Sequence, residues 1–82
     1  AKTDELVAES EYIMGMLLDS MQNYSEAEEH LKKAVKVYEK IGDKEKKAHA
    51  ESELAKVFAR KGDMETAVNT LESLIEFFEE RK

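Results

Sequence analysis

The spacing of apolar residues along the chain follows the period of a helix. Within four stretches the apolar residues recur at intervals of three and four, which places them on one helix face, and short polar turns separate the stretches. We therefore predict helices at residues 4–22, 25–41, 44–61 and 64–80. The sequence has no proline and no strand-like stretch, so we predict an all-α fold.

The predicted turns carry residues that end and begin helices. Gly42-Asp43 and Gly62-Asp63 each combine a glycine, which adopts the left-handed conformation at little steric cost, with an aspartate that can cap the next helix. Ser25 and Glu28 have the spacing of a capping box, which would start the second helix. Thr3 is the predicted cap of the first helix.

The chain repeats its own pattern at an offset of forty residues. Residues of similar size and polarity coincide, and we expect them to form the core. The small residues Gly15 and Ala27 stand where two backbones would approach closely. The matched pairs are Met14 and Leu54, Gly15 and Ala55, Leu18 and Phe58, Ala27 and Ala67, Leu31 and Leu71, Ala34 and Leu74, Val35 and Ile75, and Tyr38 and Phe78. We predict one domain, residues 1–82, of two stacked helix-turn-helix hairpins, repeat 1 at about 4–41 and repeat 2 at about 44–80.

The spacing within each unit resembles the tetratricopeptide repeat. The residues that carry the resemblance are Met14, Gly15, Leu18, Ala27, Leu31 and Ala34 in repeat 1, and Leu54, Ala55, Phe58, Ala67, Leu71 and Leu74 in repeat 2. The chain departs from the family pattern because glutamates replace the opening aromatic residue and the closing proline, and because the period is forty rather than about 34 residues. The longer period is similar to the long-helix tetratricopeptide repeats of kinesin light chains and of G-protein-regulating adaptors. The resemblance implies a fragment of an α-solenoid.

The resemblance also implies binding to a peptide or helix of a partner protein. The first helix of each repeat would line a concave groove. The implied groove positions are Glu9, Tyr12, Met16, Asp19 and Ser20 in repeat 1, and His49, Ser52, Lys56, Ala59 and Arg60 in repeat 2. Lys56 and Arg60 could pair with a partner carboxylate, while Tyr12 and Met16 could hold an apolar side chain.

The groove pairs differ in character at the forty-residue offset, whereas the core pairs agree. A shared scaffold with a specialised surface would give this difference, and so would drift on an unconstrained exposed face. Both interpretations stay open. The asparagine and lysine combination of chaperone-tail-binding relatives is missing, so we do not predict that ligand.

Composition limits the classes of function. The 82 residues carry a formal net charge of −6, which argues against a nucleic-acid binder. Apolar runs are far shorter than the roughly 20 residues of a membrane span, so we predict no membrane insertion. Serine and threonine lack the partners of a catalytic site, and there is no phosphate-binding loop, so we predict neither an enzyme nor a cofactor. The absence of cysteine and of a secretory signal favours a cytoplasmic location.

Charged residues raise two further possibilities. A basic run consists of Lys32, Lys33, Lys36, Lys40, Lys44, Lys46 and Lys47. Glutamates stand one turn before Lys32 and Lys33, so we favour an ion-paired, solvated helix face over a site for an acidic partner or an anionic surface. Glutamates also stand one turn from His30 and from His49, but two ligands on one helix make a weak site, and we predict no metal.

The fourth predicted helix is apolar over an arc of about 180°. One preceding hairpin cannot cover this arc, and the edge would consist of Val68, Ile75, Phe77 and Phe78. Another copy, a partner helix or a further repeat would cover it. A start at Ala1 rather than methionine is expected for an excised, processed or designed piece of protein. We therefore hold two hypotheses, a non-catalytic protein-binding scaffold and a repeat fragment that forms homo-oligomers through its last helix.

Overall fold

Four helices follow one another in a computed structural model that describes residues 2–80. They are α1 (Lys2–Ser20), α2 (Tyr24–Ile41), α3 (Lys44–Lys61) and α4 (Met64–Glu80). Consecutive helices pack against each other, whereas α1 and α3 touch only slightly. The described residues extend over 35 × 30 × 15 Å, and the shortest of these dimensions is the thickness of about two helix layers. The predicted all-α fold of two helical hairpins is confirmed.

The two glycine-aspartate turns form as predicted. Gly42 and Gly62 have φ values of 87° and 95°, in the left-handed region, and each donates its N–H to carbonyls of the helix before it. Asp43 and Asp63 then accept a hydrogen bond from the backbone N–H three residues on, at 3.1 and 3.2 Å. This local chemistry makes α2 and α3 end, and α3 and α4 begin, at the predicted residues.

The predicted first cap is wrong. Helix α1 begins at Lys2, so Thr3 lies inside the first turn instead of before it. Nothing in Lys2-Thr3 opposes helical backbone angles, so the helix starts earlier than the capping pattern indicates. The helix also ends at Ser20, two residues before the predicted end.

The turn between α1 and α2 begins earlier than predicted and includes Gln22, which was expected to end the first helix. Gln22 adopts a positive φ of 65°, and the N–H of Asn23 donates to the carbonyl of Leu18 at 2.8 Å. Helix α2 therefore begins at Tyr24 with Asn23 as its cap residue, and Ser25 lies inside its first turn. The predicted capping box is wrong, because the chain has already entered the helix before Ser25.

The core is centred on α2, which has a helix on each side. One cluster joins Ala8 of α1 with Ala34 and Tyr38 of α2 and Ala50 of α3. The second cluster consists of Ala27 and Leu31 from α2 with Leu54 and Val57 from α3. Alanine supplies half of these buried positions, so the helices pack closely.

Gly15 allows the closest approach between α1 and α2. A Cβ atom built on Gly15 would lie 2.6 Å from Cγ of Leu31 and 3.3 Å from the carbonyl oxygen of Ala27. Leu31 is fully buried, so it has no space to withdraw. The expectation that Gly15 and Ala27 stand at a close backbone approach is confirmed.

The matched core positions are not equally buried, which corrects the expectation that all of them form the core. Met14 is 46% exposed, whereas its match Leu54 is 8% exposed. In the other direction, Leu31 is 0% exposed and its match Leu71 is 44% exposed. The reason is position in the stack, because α2 and α3 each have two neighbouring helices and α1 and α4 each have one.

Candidate functional site

A cavity of about 340 Å³ lies among α1, the end of α2 and the start of α3. It is lined by Glu9, Tyr12, Ile13, Tyr38, Lys46 and His49. Three of these residues belong to the predicted groove, namely Glu9 and Tyr12 of α1 and His49 of α3. The cavity therefore brings together the groove residues near the N-terminal ends of the two parallel helices.

Two tyrosines form the apolar part of the cavity. Tyr12 packs against both core clusters, and Tyr38 is itself a member of the first. Burial raises the pKa of Tyr12, and the charge of Glu53 adds to the effect. Burial also raises the pKa of Tyr38, with Glu9 as the next cause. Both phenols stay protonated at neutral pH and offer a ring face with a hydroxyl group.

Opposite charges stand on the two sides of this cavity. The exposed carboxylate of Glu9 belongs to α1, and the exposed ammonium of Lys46 belongs to α3, as does the exposed side chain of His49. Ile13, which is half exposed, extends the apolar surface on the α1 side. An apolar floor with a few polar groups at its rim is the usual composition of a binding cavity.

At the other end of the predicted groove, an ion pair links α3 to α1. Arg60 of α3 donates to Oδ2 of Asp19 of α1, and this contact raises the pKa of the guanidinium. The second carboxylate oxygen of Asp19, Oδ1, is buried without a hydrogen-bond partner. The ammonium of Lys56 lies 3.3 Å from the carboxylate of Glu53. Both cations that could pair with a partner carboxylate therefore have partners within the chain.

The remaining predicted groove residues do not line the cavity. Met16 is exposed on α1, and the hydroxyl of Ser20 donates to the Met16 carbonyl at 3.1 Å. Ser52 and Ala59 are half buried on α3. The structure thus divides the predicted groove into a cavity at one end and an ion pair at the other.

Three cavity residues were not among the predicted groove positions. Tyr38 was assigned to the core and Lys46 to the basic run, while Ile13 carried no assignment. Lys46 stands three residues before His49, so helical spacing could have joined these two. No local signal connects Tyr38 to α1, because that contact depends on how the first hairpin packs.

Three of the seven lysines in the basic run, Lys32, Lys40 and Lys47, lie within ion-pair distance of a carboxylate. Glu28 accepts from Lys32 and from Lys61, both at 2.7 Å, and these hydrogen bonds lower its pKa. Lys47 donates to Glu39 at 2.9 Å, which raises the pKa of Lys47 and lowers that of Glu39. These contacts tie α2 to α3.

His30 of α2 links the two helices of the first hairpin through a contact with α1. Its Nδ1 lies 2.6 Å from Oε2 of Glu11 on α1. In repeat 2, Thr70 stands at the matching position and its hydroxyl donates to its own helix at 2.8 Å.

A cavity of about 690 Å³ between α3 and α4 includes Thr70, Phe77 and Glu51 in its lining. Within residues 2–80, no group of three or more potential ligands is placed to hold a metal ion.

The residues of the predicted α4 edge lie on two different sides of the helix. Val68, Ile75 and Phe78 are exposed on the side away from α3. Phe77 is half buried beside the α3–α4 cavity, with its ring centroid 5.2 Å from that of Phe78 in an edge-to-face arrangement.

Comparison with known proteins agrees with the fold. A tetratricopeptide repeat family model matches residues 6–80, nearly the whole chain, so the chain belongs to the tetratricopeptide repeat family. Proteins of this family generally act as scaffolds for protein–protein interaction. No curated protein and no solved structure matches the chain. Within residues 2–80, no helix has both the length and the apolar character needed to cross a membrane.

Proposed function

We propose that the chain is a non-catalytic scaffold that binds a peptide or helix of a partner protein, with the cavity at Tyr12 and Tyr38 as its anchor. The observation that carries this proposal is the convergence of Glu9, Tyr12 and His49 on one cavity in a protein of a scaffold family. These residues come from two different helices, and only the fold brings them together.

The composition of the cavity specifies the partner chemistry. A volume of about 340 Å³ accommodates one large apolar side chain. A basic group on one side of that anchor would meet Glu9, and an acidic group on the other would meet Lys46 and His49. The preferred ligand is therefore a segment with an apolar residue between a base and an acid.

Selection from a random-peptide display library tests the proposal. Peptides selected on the immobilised chain are measured by fluorescence anisotropy against Ile13→Glu and against Lys46→Glu with His49→Glu. A carboxylate at the cavity wall is expected to weaken binding about tenfold or more. Val68→Glu, an equally exposed apolar position on α4, is the matched control and should bind as the unchanged chain does.

Equal affinity for the Ile13→Glu chain would place the peptide elsewhere. Circular dichroism of each variant separates a lost contact from a lost fold. Lys56→Glu with Arg60→Glu is expected to have a smaller effect, because both cations already pair with carboxylates of the chain.

Self-association through α4 is the second candidate function. The observation that favours it is a continuous exposed apolar stripe on this helix, formed by Met64, Val68, Leu71, Ile75 and Phe78. Contiguous exposed apolar surface of this kind is typical of an interaction site.

A further inference from the structure

The exposed large apolar side chains within residues 2–80 all belong to the two ends of the stack. One set forms the α4 stripe already defined. The other set lies on α1 and just after it. Four of its members have the spacing of one helix side and are here called the α1 face, namely Val7, Met14, Leu17 and Met21. Helices α2 and α3, which lie between these ends, expose none.

The α4 stripe uses the positions through which α2 packs on α3. Forty residues before Met64, Leu71 and Phe78 stand Tyr24, Leu31 and Tyr38. In the structure, Leu31 clusters with Leu54 and Val57 of α3, with Tyr24 packed against the same cluster. The α4 stripe therefore has the form of a surface built to receive a helix such as α3.

The α1 face uses the positions through which α3 packs on α2. Forty residues after Met14, Leu17 and Met21 stand Leu54, Val57 and Lys61. Leu54 and Val57 are buried against α2. The contact between α2 and α3 is here called the inner junction. At the forty-residue offset, the α4 stripe corresponds to the α2 side of this junction and the α1 face to its α3 side.

Two ion pairs cross the inner junction, and one of them is replaced by apolar residues on both outer faces, whereas Glu39 and Lys47 correspond to Glu79 and Val7. Glu28 of α2 bonds Lys61 of α3 at 2.7 Å across the inner junction. The matching outer residues are Val68 and Met21, and both are apolar and exposed. Where the inner junction has this ion pair, the outer faces have two apolar residues. Packing these residues against each other would remove apolar surface from water, which is favourable.

We propose that copies of this chain associate head to tail, with the α4 stripe of one copy packed on the α1 face of the next in the geometry of the α2–α3 junction. Val68 then contacts Met21 of the neighbouring copy. Such a contact joins two different surfaces and leaves one of each free, so it extends into longer assemblies. This inference specifies which surface meets α4 in the second candidate function, and it does not depend on the groove.

Charge limits the strength of the association. Helix α1 contains five acids and one base, for a net charge of −4, and α4 contains five acids and no base, for −5. Copies that meet through these ends repel each other, and salt screens this repulsion. We therefore expect weak association that strengthens as the salt concentration rises.

Analytical ultracentrifugation of single-face variants tests the inference. Leu17→Glu blocks the α1 face, and Val68→Glu blocks the α4 stripe. Each variant alone is expected to be monomeric at concentrations where the unchanged chain forms dimers and larger species. An equimolar mixture should form a dimer that grows no further, because each variant contributes one intact face. Met16→Glu, exposed on α1 but outside the α1 face, is the control and should associate normally.

Two results would overturn the inference. The first is a monomeric unchanged chain at all concentrations, in both low and high salt. The second is association of Leu17→Glu alone with none for Val68→Glu, which would indicate an α4–α4 contact. Circular dichroism checks the fold, and Met21→Lys and Leu71→Lys test the same faces if a first variant loses helicity. Peptide binding by Val68→Glu separates a failure here from a failure of the groove proposal.

Discussion

Helices α2 and α4 occupy equivalent places in the two repeats, yet the structure treats them differently. Tyr38 of α2 is 5% exposed, and its match on α4, Phe78, is 44% exposed. Helix α2 lies between α1 and α3, whereas α4 contacts α3 alone. The comparison teaches that the burial of a repeat helix depends on its neighbours as much as on its own residues.

The two helices also differ in how they use polar residues. Glu28 joins α2 to α3 through Lys61, and Glu39 joins the same helices through Lys47. Helix α4 has Val68 in place of Glu28, and that side chain is exposed. The less covered helix is therefore the more apolar one at this position, which is unfavourable unless something packs on it.

The largest expected difference comes from removing the same side chain in both helices. Leu31→Ala leaves a cavity in the core and is expected to lower the free energy of unfolding by about 2–5 kcal/mol. Leu71→Ala removes a half-exposed side chain and should cost about 1 kcal/mol or less in the monomer. Urea denaturation at low protein concentration measures both. Equal losses would mean that α2 and α4 are covered to the same extent.

A smaller effect is expected at the glycine that faces Leu31. Gly15→Ala places a Cβ atom 2.6 Å from the buried Cγ of Leu31, and strain of about 1–3 kcal/mol outweighs the roughly 1 kcal/mol gained in helix propensity. The melting temperature should therefore fall. Ala55 already carries a Cβ at the matching position, where Leu71 is less confined. A rise in melting temperature would show that α1 and α2 do not approach so closely.

The ion pairs of α2 predict that the free energy of unfolding depends on pH. Lys32 and Lys61 lower the pKa of Glu28, so its contribution is present above the pKa of the unfolded chain and disappears as pH falls through the lower folded value. Glu28→Gln should cost about 1 kcal/mol at pH 7 and close to nothing near pH 2. Denaturant titrations at several pH values measure the difference. Glu29→Gln, exposed one residue away, is the control, and an equal loss there would contradict a specific role for Glu28.

The smallest effect on stability is expected when residues at the α2–α3 junction are replaced by those at the matching positions of the α4 stripe and the α1 face. Glu28→Val with Lys61→Met replaces an ion pair with the apolar pair that stands at Val68 and Met21. Replacing both partners together should change stability by about 1 kcal/mol or less, whereas Glu28→Val alone should cost more. Thermal unfolding of the single and double variants measures this. A loss of more than about 2 kcal/mol in the double variant would show that the outer residues do not fit this geometry.

Much of the fold was predictable because its signals act over a few residues. The glycine-aspartate turns at Gly42 and Gly62 ended and restarted helices as their backbone and capping chemistry requires. The first turn was harder to place, because Gln22 took the left-handed conformation that glycine usually supplies. The candidate site was half predictable: the family resemblance implied Tyr12 and His49 as groove positions, but not Tyr38.

The sequence by itself determined the helices, the forty-residue repeat and the family, since all three depend on local spacing and residue type. Tertiary structure decided which matched positions are buried, that Arg60 pairs with Asp19, and that His30 pairs with Glu11. These outcomes depend on which helix lies beside which. The same apolar residue is buried in the core where its helix has two neighbouring helices and stays exposed where its helix has only one.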